Sequence, residues 1–303
     1  MMRRIAIPGL MLAVLLTGGP AVSQTAAERA LIGPPELHAL PSSPPTLVEA
    51  YGPAPQQFGQ LRLPAGAGPF PVVVVIHGGC WTKGYEDLDG LAPLASALTA
   101  KGYATWNIEY RQVGDPGGGW PGEFQDWGAA TDHLRELAKI HPLDLARVTV
   151  LGHSAGAHAA LWLASRHNLP ADSEIRGAAP LPVAVVVAID GPGDLRTLYG
   201  ADEAICGKPI FVPLFGGTPE QQPDRYRQAN PVEWLPTGAT TILIASSVLT
   251  PEAADAWQAA ASDKGETVSV VELENAGHFN MLAPNDPAWS EVEAAILTLS
   301  PAH

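Results

Sequence analysis

Val148 to Ser165 reads VTVLGHSAGAHAALWLAS. A β-branched apolar run, Val148 to Leu151, stops at Gly152, passes through His153 to Ser154, Ala155 and Gly156, and continues as an Ala/Leu-rich helical stretch. That is strand, sharp turn, helix. The G-x-S-x-G spacing has a steric reason: a serine on a strained elbow needs neighbours without side chains two residues either way, or strand and helix collide. The pattern predicts an exposed hydroxyl at the carboxyl end of a strand, with a helix N-terminus behind it.

Outward from this stretch the chain alternates. Gln57–Leu63 reads as a short amphipathic strand, and PVVVVI (Pro71–Ile76) as a strand buried on both faces. Leu91–Lys101 is a short helix ended by Gly102, Tyr103–Glu109 a strand, and Phe124–Ile140 an amphipathic helix. After the serine stretch come strands at Val183–Ile189, Thr240–Ala245 and Val268–Leu273, with helices at Pro251–Lys264 and Pro287–Leu299. Strands alternating with helices predict an α/β fold: a mostly parallel central sheet with helices on both faces. Residues 191–236, rich in Pro and Gly, are too long for a simple loop and read as a small cap insertion rather than a second domain.

The ends of the chain set its context. Arg3 and Arg4, the apolar run Ile5–Leu16 and the small residues Ala21-Val22-Ser23 have the layout of a signal peptide over residues 1–23. The apolar run, about a dozen residues, is too short to span a bilayer. Residues 24–56, rich in Pro, Ala and Ser and without period, read as an N-terminal extension on the surface, and 57–303 as the catalytic-type domain. The expectation is an exported protein, periplasmic or secreted. A formal charge of −14 opposes nucleic acid and anionic membrane as partners. Export permits a disulfide between Cys80 and Cys206, the two cysteines; two unrelated buried thiols explain the count equally well.

In open parallel sheets functional residues gather beyond the carboxyl ends of strands. Four such ends carry chemistry: His77-Gly78-Gly79, Ser154, Asp190, and His278 in the loop after the last strand. A serine hydroxyl needs an adjacent base, usually histidine, held in one tautomer by an acid. His278, in the polar turn Ala276–Phe279, is the best base, because His133, His141 and His167 fall on helix faces or ends, and His153 is a neighbour of the serine on a tight elbow. His153 and His158 lack metal-ligand spacing, so a zinc site is not expected. Ala155 N–H, at the helix N-terminus, and the backbone of Gly78 and Gly79 are candidate donors for an oxyanion. The loop GDPGGGWPG (Gly114–Gly122) is too acidic in its surroundings to hold phosphate; Trp120, with Trp81, reads as a pocket wall.

HGGCW (His77–Trp81), GHSAGAH (Gly152–His158) and GHF (Gly277–Phe279) together resemble the α/β-hydrolase superfamily, and within it the esterase branch that includes kynurenine formamidase. The resemblance covers about residues 57–299. It implies Ser154 as nucleophile, His278 as base, an oxyanion hole of Gly78, Gly79 and Ala155, and hydrolysis of a small-molecule ester or amide without metal or cofactor. Short-acyl carboxylic esters are the expected substrates, with an arylformamidase-type amide hydrolase and a non-catalytic binding protein as alternatives. One departure stands out. The family usually places its acid in the loop after the strand matching Thr240–Ala245, and here that loop, Ser246–Pro251, has no carboxylate. Asp190 closes an apolar strand and needs a partner there, and is the acid expected; Glu252, on the first turn of the next helix, Asp194, another group, and no acid at all stay open.

Overall fold

The computed structural model describes residues 30–299. The expected signal segment therefore lies outside the described residues. The strands are β1 Leu47–Ala50, β2 Phe58–Arg62, β3 Phe70–Ile76, β4 Ala104–Ile108, β5 Leu143–His153, β6 Val185–Ile189, β7 Thr240–Ala245 and β8 Val268–Glu272. They form one sheet in the order β1-β2-β4-β3-β5-β6-β7-β8. β1 and β2 pair antiparallel, β2 joins β4 antiparallel, and every pair from β4 to β8 is parallel. The helices are α1 Pro34–His38, α2 Ala92–Ala100, α3 Gly122–Asp132, α4 Leu134–Leu137, α5 Ala155–Ser165, α6 Asp202–Cys206, α7 Phe211–Phe215, α8 Pro223–Ala229, α9 Pro251–Ser262 and α10 Pro287–Leu299.

The continuous β-branched run of β3 explains the two layers. Val72, Val74 and Ile76 point into one core with Phe124 and Trp127 of α3, Trp162 of α5 and Trp257 of α9. Val73 and Val75 point into the other, with Leu94 and Leu98 of α2 and Trp289, Val292 and Ile296 of α10. Alternation along one strand thus feeds both faces, as a strand covered on both sides requires. The expected mostly parallel sheet with helices on both faces is what the chain forms.

Two stretches carry more structure than their sequence suggested. Within residues 24–56, α1 buries Leu37 and β1 adds an edge strand on β2. Four residues with alternating half-burial give too short a pattern to stand out among prolines. Residues 191–236 hold α6, α7 and α8, each of five to seven residues, and bury Phe211, Leu214 and Phe215 in the first core. The expected helix Phe124–Ile140 is divided at His133 into α3 and α4.

The register of the central strands aligns the candidate residues. Ile76 lies opposite Gly152, His153 opposite Ile189, and Ile189 opposite Ile244. Gly78, Ser154 and Asp190 therefore leave the sheet side by side. The elbow at β5–α5 closes because its glycines leave room: a Cβ on Gly152 would stand 1.9 Å from Gly156 O, and one on Gly156 would stand 2.2 Å from Ile76 O. Neither backbone atom can retreat without breaking the sheet or the helix. Gly156→Ala is accordingly expected to lower unfolding free energy by about 3 kcal/mol or more, beyond ordinary overpacking, read as a fall in the urea midpoint at unchanged slope.

Candidate active site

Ser154 has φ 55° and ψ −119°, a left-handed conformation that a non-glycine residue holds only when its surroundings enforce it. Two contacts do so. Ser154 N–H donates to Ile189 O at 2.9 Å, and Ser154 O accepts the N–H of Ala157 at 2.9 Å, starting α5. Ala155 is the first residue of that helix, so its N–H has no intrahelical acceptor. Gly78 packs directly against the serine: a Cβ there would come within 2.9 Å of Ser154 Cβ and of His153 O.

Asp190 follows β6 by one residue and is fully buried. Its carboxylate accepts four hydrogen bonds. His278 Nδ1–H donates to Oδ2 at 2.7 Å and the Ser247 hydroxyl to Oδ2 at 2.8 Å, while the N–H groups of Val248 and Leu249 each donate to Oδ1 at 2.9 Å. Burial alone would raise the pKa of this carboxyl. The hydrogen bond and charge of His278, with the Leu249 N–H and the Ser247 hydroxyl, outweigh it and bring the value down to about 2. The loop after β7, which carries no acid, thus supplies three donors to an acid from the neighbouring strand. Nδ1 is committed to Asp190, and the His278 side chain is 23% exposed.

The other acids considered are occupied elsewhere. Glu252 is exposed on the first turn of α9, where Thr250 caps the helix by accepting the Ala253 N–H. Asp194 accepts from Arg196 and from Asn230 Nδ2 at 2.9 Å.

Three buried histidines brace the cluster, and sequence reasoning gave none of them a role. His77 Nε2 faces Glu109 Oε1 at 3.1 Å and its Nδ1 faces Gly78 O at 2.8 Å. Two acceptors require two ring protons, so His77 is an imidazolium. Burial opposes that charge, but Glu109 and the Gly78 carbonyl prevail and raise the pKa above the usual histidine value. Glu109 closes β4 as Asp190 closes β6, a charge ending an apolar strand, which is the signal that could have found it. His153 Nε2–H donates to the backbone O of His278 at 2.9 Å, tying the elbow to the loop of His278. Burial, reinforced by His278, holds His153 well below the usual value, hence neutral. His158 accepts the Trp81 indole N–H on Nδ1 at 3.2 Å and donates from Nε2 to Ala229 O at 2.7 Å.

Of the two indoles expected as pocket walls, Trp81 is 3% exposed and its ring packs on His158 and Phe211. Trp120 is half-buried against Phe124 and Phe215, with its indole N–H on Glu174 Oε1 at 2.7 Å. A cavity of about 450 Å³ in the insertion is lined by Tyr199, Pro223, Tyr226 and Asn230 among others. Of the two alternatives left open for the cysteines, the structure has the pairing: Cys80 and Cys206 form a disulfide across 126 residues of sequence.

Sheet order, strained serine elbow and acid–histidine pair together define an α/β-hydrolase. Solved structures share the fold. A tributyrin phosphonate-inhibited esterase B from Lactobacillus rhamnosis superposes with a TM-score of 0.71 at 22% identity, covering 88% of this chain and 90% of that one. A truncated carbohydrate esterase from gut microbiota gives 0.68 at 17%, covering 89% and 99%. The BD-FAE family model matches residues 60–248, and the chain belongs to that family. Two esterases of Mycobacterium tuberculosis are similar in sequence: LipC, 26% identical over 64% of this chain and 48% of its own length, and LipQ, 28% over 70% and 51%. The chain spans about half the length of these curated relatives.

Two outcomes are expected. Asp190→Asn should cut kcat for a p-nitrophenyl ester by several orders of magnitude, about 10⁴ in the best-studied triad, while Glu252→Gln leaves it within twofold. His158 supplies a pH dependence of stability. Burial brings its pKa down to about 4, against its hydrogen bond to Ala229 O. Between about 6.5 and 4 the unfolded chain binds a proton that the folded chain refuses, so stability is full above that window and falls as pH drops through it. The loss reaches about 3 kcal/mol at pH 4. Urea unfolding at pH 7 and pH 4.5 should show a steeper decline for wild type than for His158→Asn.

Proposed function

We propose that this protein is an exported serine hydrolase that cleaves carboxylic esters with short acyl groups through an acyl-enzyme intermediate. The observation that carries the reading is the 2.7 Å hydrogen bond from His278 Nδ1 to the buried Asp190, one strand from the Ser154 elbow. Asp190 holds the imidazole with its proton on Nδ1, so Nε2 can take the proton of Ser154 Oγ as the oxygen attacks the ester carbonyl. The carbonyl oxygen becomes an oxyanion, for which the Ala155 N–H and the Gly78–Gly79 backbone are the donors. His278 then protonates the departing alkoxide, and a water activated by the same nitrogen hydrolyses the acyl-serine.

The names of the two mycobacterial relatives and the tributyrin-derived inhibitor on the Lactobacillus esterase support ester substrates and short acyl chains. The acid-free loop after β7 favours a non-catalytic reading, and the Asp190–His278 hydrogen bond speaks against it. Export agrees with the Cys80–Cys206 disulfide, a bond at home in oxidising compartments. Among the described residues no helix is long and apolar enough to cross a membrane.

A fluorophosphonate probe should label wild-type protein on Ser154 and leave folded Ser154→Ala unlabelled. Against p-nitrophenyl esters of rising acyl length, kcat/KM should peak at acetate to butyrate and exceed that for N-formyl and N-acetyl aryl amides. Absence of labelling in folded wild type would overturn the serine mechanism. A preference for the formyl amide would transfer the same machinery to amide hydrolysis.

A further inference from the structure

The turn that carries the candidate oxyanion donors does not hold its shape by local preference. After Gly79, at φ +107°, both Cys80 and Trp81 take φ +52°. Two successive non-glycine residues in the left-handed region persist only if other contacts over-determine them. Local bonds contribute: Thr82 N–H donates to Gly79 O and the Thr82 hydroxyl to Cys80 O, both at 2.9 Å.

The Val113 N–H donates to Trp81 O at 2.9 Å and the Tyr110 hydroxyl to His77 O at 2.8 Å, and further attachments come from the 191–236 insertion. Cys80 is bonded to Cys206, the last residue of α6, and the Tyr85 hydroxyl, just beyond the turn, donates to Cys206 O at 2.6 Å. Trp81 packs on Phe211 of α7 with ring centroids 5.5 Å apart. Its indole N–H reaches His158, which in turn holds Ala229 O at the end of α8. Each short helix of the insertion is thereby joined to the turn or to its tryptophan. Of these links the disulfide is the covalent one, and it is made directly to a left-handed residue of the turn.

We propose that the Cys80–Cys206 disulfide is a positioning element for the oxyanion turn. It couples the insertion to the turn's geometry, and full activity requires the oxidised pair. This rests on the serine-hydrolase reading given above. Reduction by a dithiol such as dithiothreitol transfers two electrons and two protons to the bond, gives thiols at Cys80 and Cys206, and converts the reductant to its cyclic disulfide. The turn then keeps the Thr82 bonds, the Val113 N–H on Trp81 O, the Tyr110 hydroxyl on His77 O, the His77–Glu109 pair and the Trp81 anchor, and loses its covalent tie to the insertion.

The experiment uses the intact protein, oxidised and then reduced with dithiothreitol, with thiols counted by a chromogenic disulfide reagent and the fold followed by circular dichroism. On p-nitrophenyl butyrate, kcat should fall about tenfold or more on reduction, part of the 10²–10³ that loss of one oxyanion donor costs. KM should change less, and reoxidation should restore kcat. Cys206→Ala should match the reduced enzyme, and Tyr85→Phe should shift kcat in the same direction by a smaller factor. A bond that only stabilises the fold would lower the melting temperature and leave kcat intact. Unchanged kcat in folded protein with two free thiols, or loss of the fold on reduction, would each overturn the proposal. If the oxidised enzyme neither labels with fluorophosphonate nor turns over ester, the serine-hydrolase reading fails first, and this inference falls with it.

Discussion

The Asp190 carboxylate is the point on which the site's geometry depends. A fully buried carboxylate is costly unless every oxygen is engaged, and here the four donors come from two segments far apart in sequence, Ser247–Leu249 and His278. Satisfying the charge therefore fixes two loops at once. The loop after β7 is folded around the acid, and the loop after β8 is held with its imidazole against it. Asp190 takes φ 45° to aim its carboxylate, and its N–H is kept on the sheet by Ile244 O at 2.8 Å. A buried charge thus organises the loop that carries His278.

On the other side of Ser154 a second buried pair works in the same way. His77 and Glu109 bridge the ends of β3 and β4, and the imidazolium's second proton goes to the Gly78 carbonyl. Glu109 is further held by the N–H groups of Tyr110 and Leu88. Burial works against its ionised form, but His77 and those N–H groups bring its pKa below the usual glutamate value. His153, neutral and buried, closes the arrangement by tying the elbow to the carbonyl of His278. One charged and one neutral histidine, each set by what its nitrogens face, brace the turn and the loop of His278.

Most of the architecture could be read along the chain. PVVVVI could only be a strand covered on both sides, and the packing of Val72 and Val73 into opposite cores shows why. The elbow was legible because its glycines answer a clash that any side chain would cause. The edge strand β1 and helix α1 were not, since four or five residues among prolines carry no usable period. The burial of Trp81 was not legible either, since it depends on α7, whose approach nothing local specifies. Glu109 escaped notice although it closes its strand as Asp190 does.

The sequence by itself determined the alternation of strands and helices, the serine elbow, and the set of polar residues at the strand ends. Backbone sterics and side-chain period act within a few residues, so they are written locally. Tertiary structure alone decided which acid meets His278, that an acid-free loop would donate to it, and that Cys80 would find Cys206. Those pairings span 88, about 58 and 126 residues. They follow from the parallel register that sets Ile189 opposite Ile244 and from how the insertion folds back, properties of the assembled sheet that no short window of sequence contains.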